Sequence, residues 1–185
     1  MTDAGVVSTV CVFAGSARVS PPEHGALARH LGRVLGTTGF TVVYGGGSRG
    51  LMGEMADAAL DAGARVIGVV PRGLFAAEEV HPGRIELVEV DDLLERKRVM
   101  IELSDAFAAL PGGLGTLDEL VEVVTWAQLG LHGKPVFLLA ADSYWDPLLE
   151  WVDGAVARGY VTDASRRLLQ VVEVADVVGA LRSGG

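Results

Sequence analysis

Residues 110–119 read LPGGLGTLDE, which places Gly112, Gly113 and Gly115 beside the hydroxyl of Thr116 and the carboxylates of Asp118 and Glu119. Glycine costs about 0.5–1 kcal/mol against alanine inside regular structure, so such a concentration needs a local backbone reason or a ligand. Backbone N–H groups without side chains approach phosphate oxygens closely, and a helix that starts there adds the positive end of its dipole. Thr116 can cap that helix and offer a hydroxyl to phosphate, and Glu119, one turn further in, can face the same crevice. A capping box would also explain Thr116 and Glu119 together, because they are three apart, but it leaves the glycines unexplained.

Upstream, LLERKRVMIELSDAF supplies Arg96, Lys97 and Arg98 from the helix that leads into the strand before this turn. Successive helical positions point about 100° apart, so the three cannot serve one site. One guanidinium can reach a developing charge in the crevice, while Arg98 has Glu95 and Glu102 within pairing distance on the helix surface.

Two further strands end in small residues. FAGSA (13–17) contains Gly15 and Ser16, and YGGGSRGLMG (44–53) contains Gly45, Gly46, Gly47 and Met52. The first is explained equally well by a tight turn. The second holds more glycine than one turn needs. Neither is the dinucleotide signature G-x-G-x-x-G after the first strand, and no G-x-x-x-x-G-K-[ST] is present, so nicotinamide cofactors and ATP hydrolysis are poorly supported.

These turns need a frame. Apolar runs recur as VSTVCVFAG, GFTVVYGGG, ARVIGVVP, RIELVEV, DAFAALPGG and KPVFLLA, mostly continuous and not alternating, as in strands covered on both faces. Between them lie helical segments. EHGALARHLGRVLGTTG carries Leu27, Leu31, Val34 and Leu35 on one face, and DDLLERKRVMIELS opens with aspartates suited to a helix N-terminus. The alternation predicts a Rossmann-like, doubly wound α/β sandwich of six or seven parallel strands. The closing ASRRLLQVVEVADVVGALRSGG is read as a helix, a short strand and a last helix. In a parallel sheet the strand C-termini share one edge, so the three glycine turns converge on one crevice. No linker or repeat divides residues 1–185, which are expected to form a single domain with its core at about 9–180.

The formal charge of −9 and a pI near 4.8 disfavour a nucleic-acid polymer or an anionic membrane as partner. A small phosphorylated ligand needs only a local positive site. The run MTDAGVVSTV lacks the features of a signal peptide, no apolar run is long enough for a membrane span, and the chain reads as cytoplasmic. Cys11, the single cysteine, reads as a buried, inert thiol. His24, His30, His81 and His132 show no ligand spacing and read as surface or capping residues, so neither metal nor cofactor is expected. Trp126, Trp145 and Trp151 read as core or interface anchors.

The stretches VFAGSA, VYGGGSRGLMGEMADAAL, ARVIGVVP, ERKRVM and SDAFAALPGGLGTLDELVEVVTWAQLGLHGKPV together resemble the LONELY GUY family, the cytokinin riboside 5′-monophosphate phosphoribohydrolases. Such proteins have often been labelled lysine decarboxylases, yet no Schiff-base lysine signature for pyridoxal phosphate stands out here. The resemblance implies hydrolysis of the N-glycosidic bond of a nucleoside 5′-monophosphate, such as isopentenyladenosine monophosphate or AMP, by a homodimer with its sites near the subunit interface. Carried over by motif, Arg96 and Glu119 form the catalytic pair. Lys97, Glu78, Thr125 and the run Gly112, Gly113, Leu114, Gly115, Thr116, Leu117, Asp118 and Glu119 line the nucleotide site, joined by Gly15, Ser16, Gly45, Gly46, Gly47 and Met52 from the other turns. Two departures stand out. Leu94 occupies the place of a histidine usual two before the arginine, and an aromatic common after the first glycine turn is replaced near His24. The competing function is a non-catalytic carrier of a nucleotide or of molybdenum cofactor, which needs the glycine loops but has no evident use for a carboxylate beside a phosphate.

Overall fold

The computed structural model describes residues 7–18, 20–73, 80–81 and 84–183. The apolar runs form β1 (Thr9–Phe13), β2 (Thr41–Tyr44), β3 (Val66–Pro71), β4 (Glu86–Val90), β5 (Ala106–Ala109), β6 (Val136–Leu139) and β7 (Leu169–Val172). Among the described residues these seven strands make one parallel sheet in the order β4-β3-β2-β1-β5-β6-β7. The central strands bury nearly every residue because both sheet faces are covered. The edge strand β4 exposes Glu86, Leu87 and Glu89 and keeps only its end, Val90, fully buried.

The helices are α1 (Pro22–Thr37), α2 (Gly50–Asp61), α3 (Leu93–Glu102), α4 (Leu114–Gln128), α5 (Asp146–Ala157), α6 (Asp163–Arg166) and α7 (Val174–Ser183). The closing helix, strand and helix expected at the C-terminus are therefore α6, β7 and α7. Helices α1, α2 and α7 pack Leu31, Leu35, Met55 and Val177 against one face of the sheet. Helices α3, α4 and α5 pack Met100, Leu120 and Val152 against the other. Each such fully buried aliphatic side chain is worth about 1.5–3 kcal/mol relative to exposure. Cys11 lies wholly inside the second layer, where burial pushes its thiol well above its ordinary range, as an inert cysteine requires. Among the described residues, no helix is long and apolar enough to cross a membrane.

This strand order fixes where a ligand can sit. The chain winds outward from β1 through β2 and β3 to β4, then crosses back to place β5 on the other side of β1. The reversal opens a crevice beyond the C-terminal ends of β1 and β5, the position at which open α/β sheets bind ligands.

Candidate functional site

The turns after β1 and β5 meet at that crevice, where the Gly15 N–H donates to the Pro111 carbonyl at 3.0 Å. The turn after β2 lies alongside, because the Met52 N–H of α2 donates to the Gly15 carbonyl at 3.1 Å. Together they enclose a cavity of about 690 Å³. Gly15, Ser16, Gly45, Gly46, Gly47 and Met52 line it from one side; Gly112, Gly113, Leu114, Gly115, Thr116 and Glu119 line it from the other, with Arg96 between.

Arg96 stands in the first turn of α3. Asp92 caps that helix by accepting from the Glu95 N–H at 2.8 Å, which sets the start of α3 at the sheet's C-terminal edge. It is thus the beginning of α3 that delivers a guanidinium to the crevice. Arg96 is buried, donating through Nε to the Val69 carbonyl at 3.0 Å and through Nη2 to the Gly45 carbonyl at 2.9 Å. Its Nη1 lies 3.9 Å from Oε1 of Glu119, whose side chain is 11% exposed. Burial pushes the Glu119 carboxyl up to about 7, against the pull of Arg96. Near neutral pH this carboxyl is therefore divided between acid and anion, the condition suited to moving a proton. Arg98, by contrast, pairs on the surface with Glu95 and Glu102.

The geometry explains Gly45. A Cβ built there would run into Nη2 of Arg96, whose position is fixed by two backbone carbonyls. Gly45→Ala is expected to displace the guanidinium and lower turnover by about tenfold or more, the scale on which small misplacements in a site act. Wild-type turnover in a folded Gly45→Ala protein would show that Arg96 does not need this seat.

Several expectations are corrected. Thr116 does not cap α4: the helix starts at Leu114 with Gly113 as its N-cap, so Thr116 lies inside the first turn and no capping box forms with Glu119. Lys97 does not line the cavity. It points between α3 and α4, where it pairs with Glu122 and, at 3.0 Å, with Asp118. Asp118, Leu117 and Thr125 likewise lie outside the lining of this cavity within the single chain. Thr125 is exposed on α4. Glu78 lies outside the described residues. His24 and His81 are buried, not surface residues, and His24 lines the cavity. Of the tryptophans, Trp145 is buried and Trp126 partly so, whereas Trp151 is 69% exposed. The sequence reading also missed Tyr144, which lines the cavity from the connection between β6 and α5.

Fold and cavity define a doubly wound α/β protein with a glycine-lined crevice, floored by a buried arginine and carboxyl, at its topological switch point. The model of the family described as "Possible lysine decarboxylase" matches residues 52–181. The chain is 43% identical over 177 residues to the cytokinin riboside 5′-monophosphate phosphoribohydrolase of Rhodococcoides fascians, which covers 95% of this chain and 89% of the relative. It is 46% identical over 160 residues to the cytokinin riboside 5′-monophosphate phosphoribohydrolase LOG of Oryza sativa, covering 86% of this chain and 66% of that one. The chain belongs to this family. Among solved structures, the molybdenum cofactor binding protein of Rippkaea orientalis superposes with a TM-score of 0.71 at 21% identity, covering 95% of each chain. The molybdenum cofactor carrier protein of Chlamydomonas reinhardtii gives 0.71 at 23%, covering 95% of this chain and 96% of that one. At these identities the likeness concerns the fold.

Proposed function

We propose that this protein hydrolyses the N-glycosidic bond of purine riboside 5′-monophosphates to free base and ribose 5-phosphate, with Glu119 and Arg96 as its catalytic pair. The observation that carries the reading is the buried Arg96–Glu119 pair at the floor of a glycine-lined cavity, in a chain whose relatives are named for that reaction.

Cleavage of a ribosyl C–N bond builds positive charge on the sugar, so an anion held beside C1′ favours the transition state over the ground state. Ionised Glu119 supplies that anion and takes a proton from the attacking water as its oxygen bonds to C1′; the base leaves with the electron pair of the broken C–N bond and takes up the proton that the water gave up. A guanidinium is a poor general acid, so Arg96 takes another part. Held by the Val69 and Gly45 carbonyls, it is a fixed positive charge that keeps part of the Glu119 population ionised and faces the nucleotide. The bare amides of the three turns would hold the 5′-phosphate, far from the bond that breaks, and supply binding energy to ground state and transition state alike.

A lysine decarboxylase built on pyridoxal phosphate does not fit these residues. The sequence contains only Lys97 and Lys134. Lys97 is tied to two carboxylates, Lys134 donates to the Ile101 carbonyl at 2.7 Å, and neither lines the cavity. Among the described residues the cavity therefore offers no lysine amine on which a Schiff base could form. The carrier reading draws on the fold likeness alone and leaves the partly ionised Glu119 without a task.

A homodimer belongs to the same proposal. Leu114 at the cavity mouth, Val121 and Leu129 leave an apolar stripe on the outer side of α4, with Leu114 86% exposed and Leu129 67%. Thr125 lies on the same exposed helix. A second copy packed on this stripe would cover it and bring Thr125 toward a site. A cytoplasmic location accords with the single buried cysteine.

The test is to incubate the protein with AMP, isopentenyladenosine monophosphate, GMP, CMP and isopentenyladenosine and to separate the products. Base and ribose 5-phosphate are expected from the purine monophosphates, with little from the nucleoside. Intact nucleotide in every reaction, with binding shown separately, would favour a carrier.

A further inference from the structure

The connection from β6 to α5 carries two consecutive non-glycine residues in left-handed backbone, Asp142 at φ +37° and Ser143 at φ +61°. Side chains other than glycine rarely adopt that region, and runs of it persist only where the surroundings impose them. The surroundings are identifiable. The Tyr144 N–H closes the turn on the Ala141 carbonyl at 2.6 Å, and the Asp146 N–H donates to the Ser143 carbonyl at 3.1 Å. The buried Trp145 donates its indole N–H to the Leu139 carbonyl at 3.1 Å, which ties the start of α5 to the end of β6.

The turn aims the Tyr144 side chain across the crevice. Its hydroxyl donates to the Gly112 carbonyl and accepts from the Gly112 N–H at 3.4 Å, so one side chain engages both polar backbone atoms of one glycine. The ring is steadied edge-on by His24, with centroids 5.7 Å apart at 84°, and by Trp145, 5.0 Å away at 87°.

Gly112 is closely packed from two sides. A Cβ there would meet the Thr116 side chain of α4 and lie 2.8 Å from the Gly15 nitrogen of the β1 turn. It is followed at once by Gly113, the N-cap of α4. Whatever fixes Gly112 therefore fixes the direction in which the backbone enters α4, and with it the amides that open that helix.

We propose that Tyr144 is a positioning residue for the phosphate-facing loop: its hydroxyl sets the orientation of the Gly112 backbone, and the left-handed Asp142–Ser143 turn exists to hold it there. The kinetic consequence rests on the phosphoribohydrolase reading, whereas the structural one does not. A loosened loop would bind the monophosphate less well in ground state and transition state alike, so the loss falls on KM and not on kcat.

The deciding variant is Tyr144→Phe, which removes one oxygen and keeps the ring. Amide hydrogen exchange is followed in the wild type and the variant without ligand, and KM and kcat are measured with AMP. Exchange at residues 112–117 is expected to quicken by about fivefold, the equilibrium factor of one net hydrogen bond, with β1 and α2 unchanged. KM is expected to rise by a similar factor at constant kcat. Exchange equal to wild type at 112–117, or faster throughout the chain, would overturn the proposal. So would a fall in kcat at unchanged KM, which would place the hydroxyl at the reacting bond. The exchange measurement needs no substrate, so it decides this role even if wild-type turnover is absent, a result that would overturn only the hydrolase reading.

Discussion

Glu119→Gln is expected to bind AMP and to hydrolyse it at least about 10²-fold more slowly than wild type, in the range of general acid–base and electrostatic effects. The same variant is expected to be the more stable protein at pH 8. Burial raises the Glu119 carboxyl from 4.5 to about 7. Between those values the folded chain binds more protons than the unfolded one, so stability falls as pH rises through that window and is then level. At about 1.4 kcal/mol for each tenfold change, the cost of the ionised carboxylate reaches about 3 kcal/mol above pH 7. Glutamine is neutral at every pH and resembles the protonated acid, so it escapes most of this cost. At pH 4, where wild-type Glu119 is itself protonated, the two proteins should unfold at similar temperatures. Activity carries the complementary signature: if the anion is the working form, wild-type kcat/KM falls about tenfold per pH unit below about 7. Near-normal turnover of Glu119→Gln, or a wild-type pH profile flat between 5 and 7, would remove Glu119 from the mechanism.

Much of this site was legible because its signals are local. Three glycine turns after three apolar runs can converge only at the C-terminal edge of a parallel sheet, and the parallel sheet follows from the alternation of strand and helix. Helical spacing shows that Arg96, Lys97 and Arg98 cannot all serve one site and gives Arg98 its partners Glu95 and Glu102, whereas the choice of Arg96 comes from the family resemblance. The failures concern contacts between elements. The family resemblance gives Lys97 to the nucleotide, yet about 100° around α3 from Arg96 it meets Asp118 and Glu122 of α4, and only the packing of two helices reveals that. Thr116 was misread because a glycine N-cap looks like one more loop glycine, which hid the start of α4 at Leu114. His24 and Tyr144 belong to no motif. Each reaches the cavity through the approach of its own element, α1 for one and the β6–α5 turn for the other.

Arg96→Met is expected to cost at least about 10²-fold in turnover at pH 7, against less than about twofold for Arg98→Ala. Arg96 satisfies the Val69 and Gly45 carbonyls and stands beside the Glu119 carboxyl. Methionine keeps comparable bulk but leaves both carbonyls without this donor, at about 1–3 kcal/mol for each one left unsatisfied. It also removes the positive charge that opposes burial at Glu119, so the carboxyl should titrate above 7 and the acid limb of the pH profile should move to higher pH. Part of the lost activity should then return on raising the pH to 9, a recovery that simple unfolding would not give. Arg98 is itself exposed and pairs with the partly exposed Glu95 and the exposed Glu102, and surface pairs of this kind contribute about 0–1 kcal/mol. An acid limb that stays near 7 in Arg96→Met would show that the guanidinium does not govern the charge of Glu119. Equal losses in Arg96→Met and Arg98→Ala would mean that neither guanidinium is specific to the site, and the catalytic pair would have to be sought elsewhere in the cavity.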